Sequence, residues 1–136
     1  MPSIVHGRPA KFERLVHVES LIWYNGELLG QYILDGEHWL VAWINGKTLP
    51  AHYWDRHIYY SVSDEHLKQL LAGKMTLRDT MEKSREMWSE ESQWEKLPNG
   101  HGVPDTNVDT WNPCKWADIP EDERPTDKSF LEIGKD

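Results

Sequence analysis

The chain has 136 residues, a formal net charge of −8 and a single cysteine. That length suits one domain that buries a core without disulfides, and the lone Cys114 excludes an intrachain bridge and any CxxC-type zinc or redox motif. Six acids face five Lys/Arg over residues 1–60, and seventeen face ten over 61–136, so no basic patch exists for direct nucleic-acid binding.

The longest apolar run, WLVAWI (39–44), falls far short of the ~20 residues of a membrane helix. The opening MPSIVHGRPAKFER lacks the apolar core of a secretory signal. A cytoplasmic protein with no membrane contact is expected. Acidity keeps such a protein soluble, and it also complements a partner protein with a basic surface.

In chain order, LVHVESLIWY (15–24) alternates as a strand does. Asn25-Gly26 follows, a favoured hairpin pair because both central residues need positive φ. ELLGQYIL (27–34), Asp35-Gly36, EHWLVAWI (37–44) and Asn45-Gly46 repeat the pattern, which predicts an antiparallel meander with three tight turns. WLVAWI is apolar on both faces and belongs centrally in the sheet. HYWDRHIYYSV (52–62) reads as a fourth strand.

Ser63 is placed to cap a helix whose first turn carries Asp64 and Glu65, with Leu67, Leu70 and Leu71 as its apolar stripe and Gly73 as its terminator. Thr76 begins a second helix, with Leu77, Met81 and Trp88 on one side, that is expected to run to about Leu97 before Pro98-Asn99-Gly100. Beyond it, recurrent prolines without periodicity predict an irregular extension. Its tryptophans, Trp111 and Trp116, are too many for a disordered tail and should anchor it on the body or on a partner. The expected fold is α+β: an antiparallel β-meander of about four strands packed on one or two helices. Residues 1–97 form the domain, and 98–136 form a Pro- and Trp-rich acidic extension.

The fourth strand is the candidate for chemistry. By strand parity Trp54, Ile58, Tyr60 and Val62 share the core face, and Tyr53, Asp55, His57 and Tyr59 share the other. His52 and His57 point opposite ways. Asp55 and His57, about 7 Å apart along the strand, would need a third ligand from His17 or His38 to hold a metal. A row of Tyr, Asp, His and Tyr has the composition of a contact face, whereas the plainer alternative is a strand covered on that side by the helix or the tail. No GxSxG, P-loop, GxGxxG or HExxH occurs. No cofactor or metal is implied, and a non-enzyme is favoured.

The run LIWYNGELLGQYILDGEHWLVAWI, with IYYSVSDEHLKQLLAGKMTLRD after it, resembles a small uncharacterised bacterial and phage domain family. That family has a YDGPLL turn, a YLV strand and a VSEERLxxLLxGKxSLRD helix–Gly–helix signature. The match covers about residues 20–80, through Tyr24–Leu29, Trp39–Val41 and Val62–Asp79. Tyr-Asn-Gly-Glu here replaces Tyr-Asp-Gly-Pro. The resemblance implies β-then-α architecture and transfers no active site. The functional expectation is a protein-binding module that occludes a partner surface, an anti-defence inhibitor of phage or mobile-element origin being one concrete version. Its contacts would be Tyr53, Asp55, His57, Tyr59, Trp111 and Trp116, with the acidic Glu121, Asp122 and Glu123. The alternatives are a metal-dependent enzyme centred on Asp55 and His57, or a module stacking a sugar or nucleotide.

Overall fold

The computed structural model describes residues 5–6, 8–23, 27–48, 52–96, 102–119, 121 and 125. In chain order these form β1 (Val5–His6), a 3-10 helix (Ala10–Arg14), β2 (Val16–Trp23), β3 (Glu27–Leu34), β4 (Glu37–Thr48) and β5 (His52–Ser61). Then come α1 (Asp64–Leu71), α2 (Leu77–Glu82), β6 (Met87–Lys96), β7 (Gly102–Pro113) and a 3-10 turn (Trp116–Asp118). All strands join one antiparallel sheet in the order β1-β7-β6-β5-β4-β3-β2. The α+β class holds. The sheet, six long strands plus the two-residue β1 at one edge, is larger than the four strands expected.

The meander β2–β5 forms as the strand pattern predicts, although β2 is irregular in register and its Val16 and Val18 are exposed rather than buried, and one of its turns is directly visible. Asp35 and Gly36 take φ of 50° and 81°, the left-handed pair that a two-residue hairpin demands. Asn25-Gly26 lies outside the described residues. Asn45-Gly46 is not a turn: β4 runs through it to Thr48, with Asn45 opposite Arg56 and Gly46 opposite Asp55. A register irregularity between Trp43 and Asn45 absorbs the extra residue. A turn-forming dipeptide yields when both neighbouring strands continue to pair.

Ser63 caps α1, its hydroxyl accepting from His66 N at 3.0 Å. Gly73, at φ 78°, ends the helix as expected. Thr76 and Asp79 form a capping box at α2: Thr76 Oγ1 accepts from Asp79 N at 3.0 Å, and Asp79 Oδ2 accepts from Thr76 N at 3.1 Å.

The expected long second helix is corrected. It stops at Glu82, and MWSEESQWEK is strand β6, paired on one side with β5 and on the other with β7. Helix-favouring Met, Glu and Lys dominate that segment, but pairing both backbone edges outweighs propensity differences of a few tenths of a kcal/mol per residue. The expected irregular extension likewise contains β7, so residues 102–113 belong to the sheet.

Each face of the sheet carries a buried cluster among the described residues. On the first, Leu29, Leu40, Ala42, Ile58 and Tyr60 pack against Leu67 and Leu70 of α1, Leu77 and Met81 of α2, and Ile119. Leu71, expected in the same stripe, is exposed. Within this core Thr80 Oγ1 donates to Leu77 O at 2.9 Å, which leaves Tyr60 to donate its hydroxyl to Thr80 at 3.0 Å. On the second face the N-terminal 3-10 helix lays Phe12 onto an aromatic cluster. Its ring centroid lies 5.5 Å from Trp39, 5.4 Å from Tyr59, 6.0 Å from Trp88 and 5.3 Å from Trp111.

Candidate functional site

The strand register assembles one continuous row across the second face: Trp43 on β4, His57 on β5, Glu90 on β6 and Trp111 on β7. Neighbours in such a row sit about 5 Å apart and interact directly. Burial rises along it. Trp43 is 39% exposed and Trp111 only 2%. Between them His57 Nδ1 lies 3.2 Å from Glu90 Oε1, close enough for an ion pair but misaligned for a hydrogen bond. The row therefore runs from an open aromatic residue, through a His–Glu pair, into the closed cluster under Phe12.

The sequence-predicted residues divide along this gradient. Tyr59 is half-buried in the cluster, 4.7 Å from the Trp111 ring. The second face of β5 is thus partly covered, by the N-terminal helix and by Trp111 of β7. Trp111 takes the first of the two roles the sequence allowed, packing on the body, and at 2% exposure it is not a surface contact. Trp116 is half-buried on the opposite face, beside Cys114 and the helix-side core. His57 remains partly open. Tyr53 and Asp55 lie on β5, opposite Trp94 and Ser92 of β6, and their side chains lie outside the described residues, as do Asp122 and Glu123.

Glu121 is exposed and pairs with Arg78 of α2 at 3.1 Å. Arg78 also donates to Pro125 O at 3.1 Å. This guanidinium fastens two points of the acidic segment to the helix layer.

The metal constellation considered for Asp55 and His57 does not assemble with either further histidine. His38 pairs with Ile33 at the other end of β4, five residues from Trp43, or about 17 Å at strand rise. His17 is on β2, three strands from β5, about 14 Å across the sheet. Among the described residues, no three His, Cys, Asp or Glu side chains are grouped closely enough to hold a metal ion.

His38 has another role. Its Nε2 lies 3.2 Å from Asp64 Oδ1, tying β4 to the first turn of α1. A cleft of about 620 Å³ opens there, bordered by Glu37, Ser61, Ser63 and Arg85. Both serine hydroxyls accept hydrogen bonds from backbone N–H groups. Ser63 Oγ is committed to the helix cap, and Ser61 Oγ accepts from Glu86 N at 3.1 Å while facing Ser84 Oγ at 3.3 Å. Burial pushes the Cys114 thiol up to about 11, which leaves almost no thiolate at neutral pH.

Sequence reasoning missed Trp43, treating it as one residue of a uniformly buried strand. The available signal was parity, because Trp43 shares its side with Trp39 and faces His57 once β4 and β5 are paired. Arg56 was also missed. It is buried on the helix side, its Nε donating to Ser89 Oγ at 3.0 Å with Glu91 Oε1 at 3.8 Å. Among the described residues, no helix is long and apolar enough to cross a membrane. Comparison of the chain with protein-family models, with curated proteins and with solved structures finds no match.

Proposed function

We propose that the protein is a non-enzymatic binding module that occludes a surface of a partner protein, with the open end of the Trp43–His57–Glu90 row as the centre of contact. The observation that carries this reading is Trp43. It is a tryptophan 39% exposed on a sheet face, with a histidine beside it in register. Tryptophan dominates interface hot spots because it buries a large apolar area at little conformational cost. The charge of −8 favours a partner with a basic surface, and Glu121, Asp122 and Glu123 would add to the attraction. A phage or mobile-element inhibitor of a host defence system is the concrete version of this module.

The test is affinity capture from native-host lysate by the full chain and by Trp43→Ala. Truncation at Leu97 is unsuitable because it removes β7 from the sheet. One stoichiometric partner, released by Trp43→Ala at unchanged melting temperature and weakened by charge reversal at Glu121, Asp122 and Glu123, is the expected result. Equal capture by wild type and Trp43→Ala removes the face from the reading, and no partner at all removes the binding module.

A further inference from the structure

A second feature of the aromatic face has a chemistry of its own. Lys11, on the N-terminal 3-10 helix, holds its ammonium 5.4 Å from the Phe12 ring centroid, 5.7 Å from Trp39 and 5.3 Å from Trp88. All three distances lie within the range at which a cation is drawn to an aromatic ring. The ammonium also forms an ion pair with Glu86 Oε2, and the same oxygen accepts a hydrogen bond from Trp88 Nε1 at 2.9 Å. The indole thus orients the carboxylate that meets the cation. Trp39 is held rigidly, being 1% exposed.

Three rings and an oriented carboxylate around one nitrogen form a recognition cage for an ammonium group, and the chain fills it with its own side chain. The occupant is not locked in. Lys11 and Glu86 side chains are 32% and 37% exposed, so the ammonium borders solvent, whereas Phe12 is fully buried. Its ammonium also bears a desolvation cost: partial burial lowers the Lys11 pKa from its usual value. An ammonium carrying methyl groups is more weakly hydrated and offers those methyls to the rings. At least one N–H must remain for Glu86 to accept.

We propose that Trp39, Trp88, Phe12 and Glu86 form a binding site for a mono- or dimethylated ammonium group, with Lys11 as a displaceable internal occupant. The occupant acts as an intramolecular competitor. Wild-type protein therefore binds weakly, and removal of the Lys11 ammonium strengthens binding.

The experiment titrates Nα-acetyl-lysine amide and its Nε-mono-, di- and trimethyl forms into full-length wild type, Lys11→Ala and Lys11→Met, following tryptophan fluorescence and calorimetry. The methionine variant keeps apolar packing should alanine disturb the fold. The expected result is saturable binding of the mono- and dimethyl forms, roughly tenfold tighter in the Lys11 variants than in wild type. The trimethyl form should bind more weakly, and Glu86→Gln in the Lys11→Met background should abolish the distinction. The proposal is overturned if neither folded Lys11→Ala nor folded Lys11→Met shows saturable binding, or if the affinity of the variant that binds is indifferent to Glu86→Gln.

Discussion

Phe12→Ala is the sharpest perturbation of the second face, because one side chain joins the N-terminal helix to four aromatic rings. Phe12 is fully buried, with ring centroids of Trp39, Tyr59, Trp88 and Trp111 between 5.3 and 6.0 Å away. Returning the removed ring to water costs about 2 kcal/mol in lost transfer energy. A residual cavity of about 80 Å³ at ~24 cal/mol per Å³ adds about 2 kcal/mol. The expected loss is about 4 kcal/mol, less whatever relaxation recovers. If the 3-10 helix undocks rather than leaving a hole, the loss is capped by its docking energy, and Trp39 and Trp111 become hydrated. Urea unfolding followed by tryptophan fluorescence gives the total, and near-UV circular dichroism separates the two routes. A loss below about 1 kcal/mol with an unchanged near-UV spectrum would refute the packing of Phe12 in the cluster.

Tyr60→Phe removes one donor to Thr80, with an expected cost of about 1 kcal/mol, whereas Thr80→Val strands the buried Tyr60 hydroxyl and should cost about 2 kcal/mol; thermal unfolding of both variants checks the order. Cys114 has a folded pKa raised to about 11 from an ordinary value of 9.0, so alkylation at pH 8 should be far slower in the folded than in the urea-unfolded chain. The neutral thiol's contribution to stability is then fully present below pH 9 and is lost as pH rises toward about 11; stability curves of wild type and Cys114→Ala that track each other across that window would contradict it. Gly36→Ala should cost about 1 kcal/mol by denaturant titration, because φ is +81° although no atom lies within 4 Å of the added Cβ.

The parts of the fold legible in sequence were those in which local chemistry and long-range pairing agree. The strands β3 and β4, the Asp35-Gly36 turn, the Ser63 and Thr76 caps and Gly73 each rest on a few residues, and each appears in the structure, whereas the alternation of β2 fails at its exposed Val16 and Val18. Where the two conflict, tertiary pairing prevailed. Asn45-Gly46 became strand because β5 pairs past it, and Met87–Lys96 became strand because β5 and β7 claim its two edges. β7 was hidden because Pro104 and Pro113 break any periodic pattern.

The candidate site was half legible. Parity correctly put His57 and Tyr59 on one face, but the exposure of Trp43 and the burial of Trp111 depend on where Phe12 lands, which no local pattern encodes. The same holds for Lys11 and Glu86, 75 positions apart in the chain and adjacent in space.

The contact face is tested most directly by site-specific photo-crosslinking in the native host. A benzophenone side chain replaces Trp43 in one version and Leu71, an exposed apolar residue of α1 on the other face, in a second. A discrete adduct with one host protein from position 43 and none from position 71 is the predicted result. An adduct from position 71 alone would contradict the account and move the contact to the helix layer.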